Sequence, residues 1–123
     1  LLRNVDFAQT WGFGGLDVVN PYAFRTPHPK ALLEAMETGV DVVGPENLRY
    51  VGIAFYRCQR IMVGWGAAPW AQAQAQRMLD AFPHQTFLSF GFTNDGYPKH
   101  PLARGKHRIP PDAQPVIFRA APV

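Results

Sequence analysis

Three short apolar runs, "LDVVN" at residues 16–20, "RIMVGWG" at 60–66 and "TFLSFGF" at 86–92, alternate with segments of helical periodicity. That alternation constrains the fold more than any other feature. Between the first two runs, Pro29 suits the first position of a helix reaching Thr38, where its missing N–H does no harm, with Ala31, Leu32, Ala35 and Met36 on one face. "GPEN" opens a second helix at Pro45 that ends near Cys58, with Val51, Ala54, Phe55 and Cys58 spaced as a core stripe. Between the second and third runs lies "PWAQAQAQRMLDAF", opened by Pro69, whose Ala-Gln alternation reads as a half-exposed surface. Strand, helices, strand, helix, strand predicts an α/β fold with a mainly parallel sheet and right-handed crossovers. A helix over residues 2–10 precedes all this, and the glycines of "WGFGG" let it end in a left-handed cap.

Residues 96–123 read as irregular, with Pro98, Pro101, Pro110, Pro111 and Pro115, and wrap over the sheet edge or add a short strand at 116–118. With 123 residues, 47% of them hydrophobic, the chain has enough for one core and too little for two ordinary domains, so residues 1–123 are expected to form one α/β domain. The sequence opens "LLRNVDF", with neither Met nor a signal-peptide pattern, and reads as a fragment whose beginning lies upstream. A net charge of +3 favours polyanions weakly. The single cysteine, Cys58, excludes an internal disulfide and suits a reducing cytoplasm. No apolar run approaches the roughly 18 residues of a membrane span, so no membrane partner is expected.

Several chemistries drop out. The only serine, Ser89, lies inside the third run and outside any nucleophile turn. Cys58 falls on an apolar helix stripe, as a buried structural thiol does. His28, His84, His100 and His107 form no metal-binding pair, and neither a metal nor a cofactor is expected. The glycines of "WGFGG" precede a strand, the wrong order for a dinucleotide loop. "GWGAAPW" has the right order but lacks the third glycine and the acidic partner, so tight strand-to-helix packing is its simpler reading.

A constellation at the strand ends survives. Parallel sheets bind ligands at their carboxyl edge, here Asn20-Pro21, Gly64-Trp65-Gly66 and Thr93-Asn94-Asp95. The Asn20 amide can donate and accept together, which is what reading a pyrimidine edge needs; it can equally cap a turn before Pro21. Tyr22, Phe24 and Arg25 follow as an aromatic wall with a cation beside it, or as core with a solvated arginine. "NDGYPKHPLARGKHR" carries Lys99, Arg104, Lys106 and Arg108 with no acid between Tyr97 and Ile109, and suits a nucleic-acid backbone or a phosphate, or is an ordinary solvated loop.

"WGFGGLDVVNPYAFRTPHPKAL", "DVVGPEN", "VGWGA" and "TNDGYPKHPL" closely resemble, in order and spacing, the bacterial and phage domain-of-unknown-function family 1643, over residues 2–102. Members of that family usually carry a further N-terminal strand ending in a Leu-Asn-Pro-Ser type motif, which this chain lacks. More distantly, Asn20 with Arg25, the strand into Gly64-Trp65-Gly66 and the basic loop with His100-Pro101-Leu102 are similar to the uracil-DNA glycosylase superfamily. That resemblance implies a three-layer sandwich and a DNA or nucleotide partner. It assigns His100 a catalytic place near the sugar and Asn20 the reading of the base; with Asn20, Tyr22 and Phe24 are expected to form the base pocket, Arg25 to lie by the sugar-phosphate, and Trp65 and Asn94 to bind substrate as well. Lys99, Arg104 and Lys106 fall on the nucleic-acid backbone. The superfamily's loop reads His-Pro-Ser-Pro where this chain has His-Pro-Leu, and its water-activating Asp or Asn belongs to the missing motif. The implied reaction is hydrolysis of an N-glycosidic bond in the full-length protein. A non-catalytic nucleotide or nucleic-acid binding module, or an enzyme acting on a small phosphorylated metabolite, fits the same residues.

Overall fold

A computed structural model of the chain describes residues 2–20, 29–39, 44 and 46–122. In chain order the elements are α1 (Leu2–Thr10), α2 (Pro29–Glu37), α3 (Asn47–Arg57), β1 (Ile61–Val63), α4 (Pro69–Asp80), β2 (Phe87–Ser89) and β3 (Val116–Arg119), with a 3-10 turn at Gly105–His107. None of the described helices is long and apolar enough to cross a membrane.

The helices begin and end where local chemistry directs. Pro29 and Pro69 occupy the first turns of α2 and α4, where a missing donor costs nothing. α1 closes through Gly12, at φ +85°. The Gly12 N–H donates to the Gln9 carbonyl at 3.0 Å and the Phe13 N–H to the Ala8 carbonyl at 2.9 Å. This pair of bonds satisfies two carbonyls that the helix end leaves open, and it needs a residue free of Cβ strain at its pivot. The glycine expected to cap this helix is therefore Gly12.

β1 and β2 run parallel, with Ile61 opposite Phe87 and Val63 opposite Ser89. Alternation puts Ile61, Val63 and Phe87 on one face. There they join Val51 and Phe55 of α3 and Met78 and Leu79 of α4 in a single apolar cluster. Phe87 is fully buried at its centre, edge-on to Phe55 with ring centroids 5.7 Å apart. Burying such a ring contributes about 1.5–3 kcal/mol. Ala71, Ala75, Met78 and Leu79 form the buried stripe of α4, so two alanines of the Ala-Gln repeat are core while Ala73 is exposed.

Two expectations about the sheet are corrected. It is mixed, not mainly parallel: β3 pairs antiparallel with β2, in the order β1-β2-β3. A parallel return needs a helical crossover, and the described residues between β2 and β3 contain a hairpin, loops and one 3-10 turn instead. The short strand expected at 116–118 is present as β3. Residues 16–20, expected to be the first strand, belong to no strand or helix. A segment becomes a strand only by exchanging backbone hydrogen bonds with a neighbour, and the Asn20 carbonyl instead accepts from Asn47 Nδ2 at 2.9 Å. Val19 packs on the core, while Leu16 and Val18 stay exposed.

Cys58 is likewise displaced from the reading made of it. α3 stops at Arg57, and Cys58 is an extended, half-buried cap residue, not a member of the buried stripe. Its Sγ lies 3.8 Å from Asp17 Oδ2. Desolvation first, and the Asp17 carboxylate second, raise its pKa, which makes it a poor nucleophile at neutral pH.

Candidate functional site

The carboxyl ends of β1 and β2 share one edge because the strands are parallel, and each ends in a loop that the sequence holds tightly. After β2, the buried Ser89 hydroxyl donates to the Gly91 carbonyl at 3.3 Å and accepts from the Gly91 N–H at 3.2 Å. Its oxygen and proton both serve this turn. A hairpin follows: Phe92 bridges Pro98, the Thr93 N–H donates to the Tyr97 carbonyl at 2.8 Å, and Asn94 sits exposed at the tip. The Lys99 N–H then returns to the Gly91 carbonyl at 3.0 Å.

After β1, Gly64-Trp65-Gly66 meets that returning loop. The Gly66 N–H donates to the Pro98 carbonyl at 2.9 Å. A Cβ on Gly64 would stand 3.1 Å from Pro101 Cδ and 3.2 Å from the Lys99 carbonyl oxygen, and one on Gly66 would stand 3.4 Å from His100 Cβ. A Cβ at position 64 would require Pro101 or the Lys99 carbonyl to give by a few tenths of an ångström. Trp65 is half-buried; its Nε1 donates to Gln72 Oε1 at 2.7 Å, and Gln72 Nε2 donates to the Gly66 and Ala68 carbonyls, each at 3.0 Å. One amide thus fixes the turn from β1 into α4. The Trp65 ring stands edge-on to Phe118 at 5.4 Å, and Phe118 stacks on Phe92 at 5.9 Å, so an aromatic row borders the edge. The tight-packing reading of "GWGAAPW" accounts for these contacts.

His100 lies in this junction. The Leu102 N–H donates to its Nδ1 at 3.0 Å, which leaves Nε2 to carry the proton of the neutral ring. Although much of the residue reaches solvent, desolvation holds its pKa below the ordinary 6.5. At neutral pH the ring is therefore an uncharged donor through Nε2–H. Lys99 lies half-buried along Gly91, its Cδ 3.6 Å from where a Cβ there would be. Arg104 and Lys106 follow on exposed turns. Among the described residues none of these three cations is in a salt bridge.

The structure thus brings Trp65, Lys99 and His100 to one junction, with Asn94 at the tip of the adjoining hairpin. Asn20 is exposed, and its described hydrogen bond runs to α3, not to the 98–102 loop. Tyr22, Phe24 and Arg25 lie outside the described residues. Among the described residues no three His, Cys, Asp or Glu side chains gather as a metal site. Sequence reasoning missed Gln72, hidden in a repeat that looked like surface, and Arg3. The Arg3 Nη2 donates to the Ile109 carbonyl from the opposite end of the chain.

A family model described as "Protein of unknown function (DUF1643)" matches residues 1–102. No curated protein and no solved structure matches the chain.

Proposed function

The chain belongs to the family DUF1643, and from that premise we propose that it recognises a nucleotide unit of nucleic acid at the carboxyl edge of β1 and β2. The observation that carries this reading is the junction at His100: its Nδ1 accepts from the Leu102 N–H, its Cβ lies beside Gly66, and the neighbouring cations have no carboxylate partners among the described residues. A neutral donor suits a sugar or base oxygen, and the cations of Lys99, Arg104 and Lys106 suit the phosphates on either side. Asn20, Tyr22 and Phe24 form the base pocket in this reading, with Arg25 beside the sugar-phosphate and Trp65 and Asn94 as further substrate contacts.

The finer form of the proposal is N-glycosidic hydrolysis by the full-length protein, in a three-layer sandwich like that of the uracil-DNA glycosylases. The bond from the sugar to the base breaks as water adds at the anomeric carbon, and the base leaves with a proton. A hydrogen bond from His100 Nε2–H or the Asn20 amide stabilises the charge developing on the departing base.

Fluorescence anisotropy of a labelled single-stranded oligonucleotide across a salt series tests recognition, and chromatography of the same mixture tests for released base. Binding is expected to weaken with salt, and each of Lys99→Ala and Lys106→Ala lowers the log-log slope by about 0.7, the value for one lost single-strand phosphate contact. Asn20→Asp changes base preference. Binding that ignores salt and these substitutions contradicts the proposal. Salt-dependent binding with no released base from the full-length protein leaves a non-catalytic binding module.

A further inference from the structure

Beyond that edge, α1 and the turns after the 98–102 loop border an open, cleft-like cavity of about 370 Å³ lined by Arg3, Leu102, Ala103, Arg104, Gly105 and Arg108. Three of these are arginines, and no carboxylate lines the space. Arg3 is anchored from two sides. Its Nη2 donates to the carbonyl of the fully buried Ile109, and its guanidinium carbon stands 5.3 Å from the Phe7 ring centre. Its Nε is, among the buried side-chain nitrogens and oxygens of the described residues, the one left without a hydrogen-bond partner.

Arg104 and Arg108 flank the 3-10 turn Gly105–His107, which the Arg108 N–H closes onto the Gly105 carbonyl at 3.1 Å. Both are exposed, and neither they nor Arg3 is in a salt bridge among the described residues. The first turn of α1 carries no acid, so the positive end of its dipole adds to the charge of Arg3 instead of offsetting it.

We propose that this cavity binds a phosphomonoester dianion, with Arg3 as the fixed fork and Arg104 and Arg108 closing on the group from the tail. A phosphomonoester presents three terminal oxygens and a charge of about −1.5 to −2 near neutral pH. Planar guanidinium forks match that group better than ammonium groups do. A diester passing along the surface offers two such oxygens and half the charge, too little to occupy three converging arginines. The same dianion occurs at the end of a nucleic-acid strand and on a small phosphorylated metabolite. Arg104 is shared with the backbone contacts proposed above, but Arg3 and Arg108 lie outside them, so the cavity stands without that reading.

The test is thermal unfolding in sodium phosphate against sodium chloride at matched ionic strength, with phosphate affinity taken from the saturation of the shift. Phosphate is expected to raise the melting temperature saturably, because a ligand held between α1 and the tail binds only the folded state. Arg108→Ala, at an exposed position, lowers phosphate affinity roughly tenfold or more, the loss expected for one charge-assisted hydrogen bond. Arg3→Lys lowers it as well by removing the fork while keeping the charge; should that variant not fold, Arg108→Ala carries the test. Lys106→Ala leaves phosphate affinity unchanged while weakening oligonucleotide binding, which separates the two proposals. An oligonucleotide with a 5′ phosphate that binds about tenfold tighter than its 5′-hydroxyl twin, with the advantage lost in Arg108→Ala, identifies a strand end as the source. Stabilisation by inorganic phosphate with the two oligonucleotides equal identifies a small phosphorylated molecule. Equal effects of phosphate and chloride, or a phosphate effect unchanged by Arg108→Ala, overturn the site.

Discussion

The apolar runs at residues 60–66 and 86–92 and the one at residues 16–20 look alike in sequence, yet the structure holds them and the loops they lead into differently. Around Gly64 and Gly66 the chain is tied by a backbone bond to Pro98, by the Gln72 amide and by a contact in which a Cβ on Gly64 would stand only 3.1 Å from Pro101. Along residues 16–20 the ties described are Val19 on the core, one bond from Asn47, and contacts of Asp17 with Arg57 and Cys58. An apolar run signals a need for burial; it does not say whether a neighbouring strand is there to meet it. Positional precision, the first requirement of a binding site, is therefore concentrated on the His100 side.

Substitution measures this contrast directly. Gly64→Ala forces a Cβ against the Lys99 carbonyl and Pro101 and is expected to cost about 1–3 kcal/mol by urea unfolding. At Gly15 a Cβ meets nothing within 4 Å, and Gly15→Ala is expected to stay within about 0.5 kcal/mol; equal costs at the two positions would erase the distinction. Gln72→Ala comes next, at about 1–2 kcal/mol, because it strands the Trp65 N–H and the Gly66 carbonyl, the Ala68 carbonyl keeping the Ala71 N–H. Tryptophan fluorescence should report the freed indole.

A pH titration probes the same junction more gently. The folded-state pKa of His100 is held below 6.5, mainly by desolvation, so on acidification the unfolded chain takes up the proton first. The stability that depends on neutral His100 is complete above about 6.5 and declines as pH falls from there through the lower folded value. Protonation also turns Nδ1 from acceptor to donor and breaks the bond from Leu102. In NMR spectra the Leu102 amide is expected to shift along with the His100 ring proton. The smallest effects belong to the other region. Val18→Thr and Asp17→Asn are each expected to change stability by less than about 0.5 kcal/mol, Asp17 being paired to an exposed Arg57 at 3.6 Å. Asp17→Asn should also lower the Cys58 pKa, measured as thiol alkylation rate against pH, since one of the groups raising it is removed.

Local chemistry explains what was legible in the sequence. Pro29, Pro69 and Gly12 mark helix boundaries through their own backbones, and Val51, Ala54 and Phe55 announce a buried stripe by spacing alone. β3 was visible as a short apolar run, but its antiparallel direction depends on the path of the tail and has no local signature. His100 and Lys99 were visible as residue types, whereas the role of Nδ1 comes from a backbone N–H two residues away. Arg3 was invisible as a partner of the tail because its acceptor is 106 residues distant. Gln72 was mistaken for surface because its amide bonds to a turn and not to another side chain of its repeat.

The most direct test of the account is an amide NMR titration of the protein with a short single-stranded oligonucleotide. Recognition at the junction predicts that Gly66, Lys99, His100 and Leu102 shift first and saturate together, with Leu16 and Val18 unchanged. Shifts confined to residues 16–18, or none at saturating oligonucleotide, would contradict it.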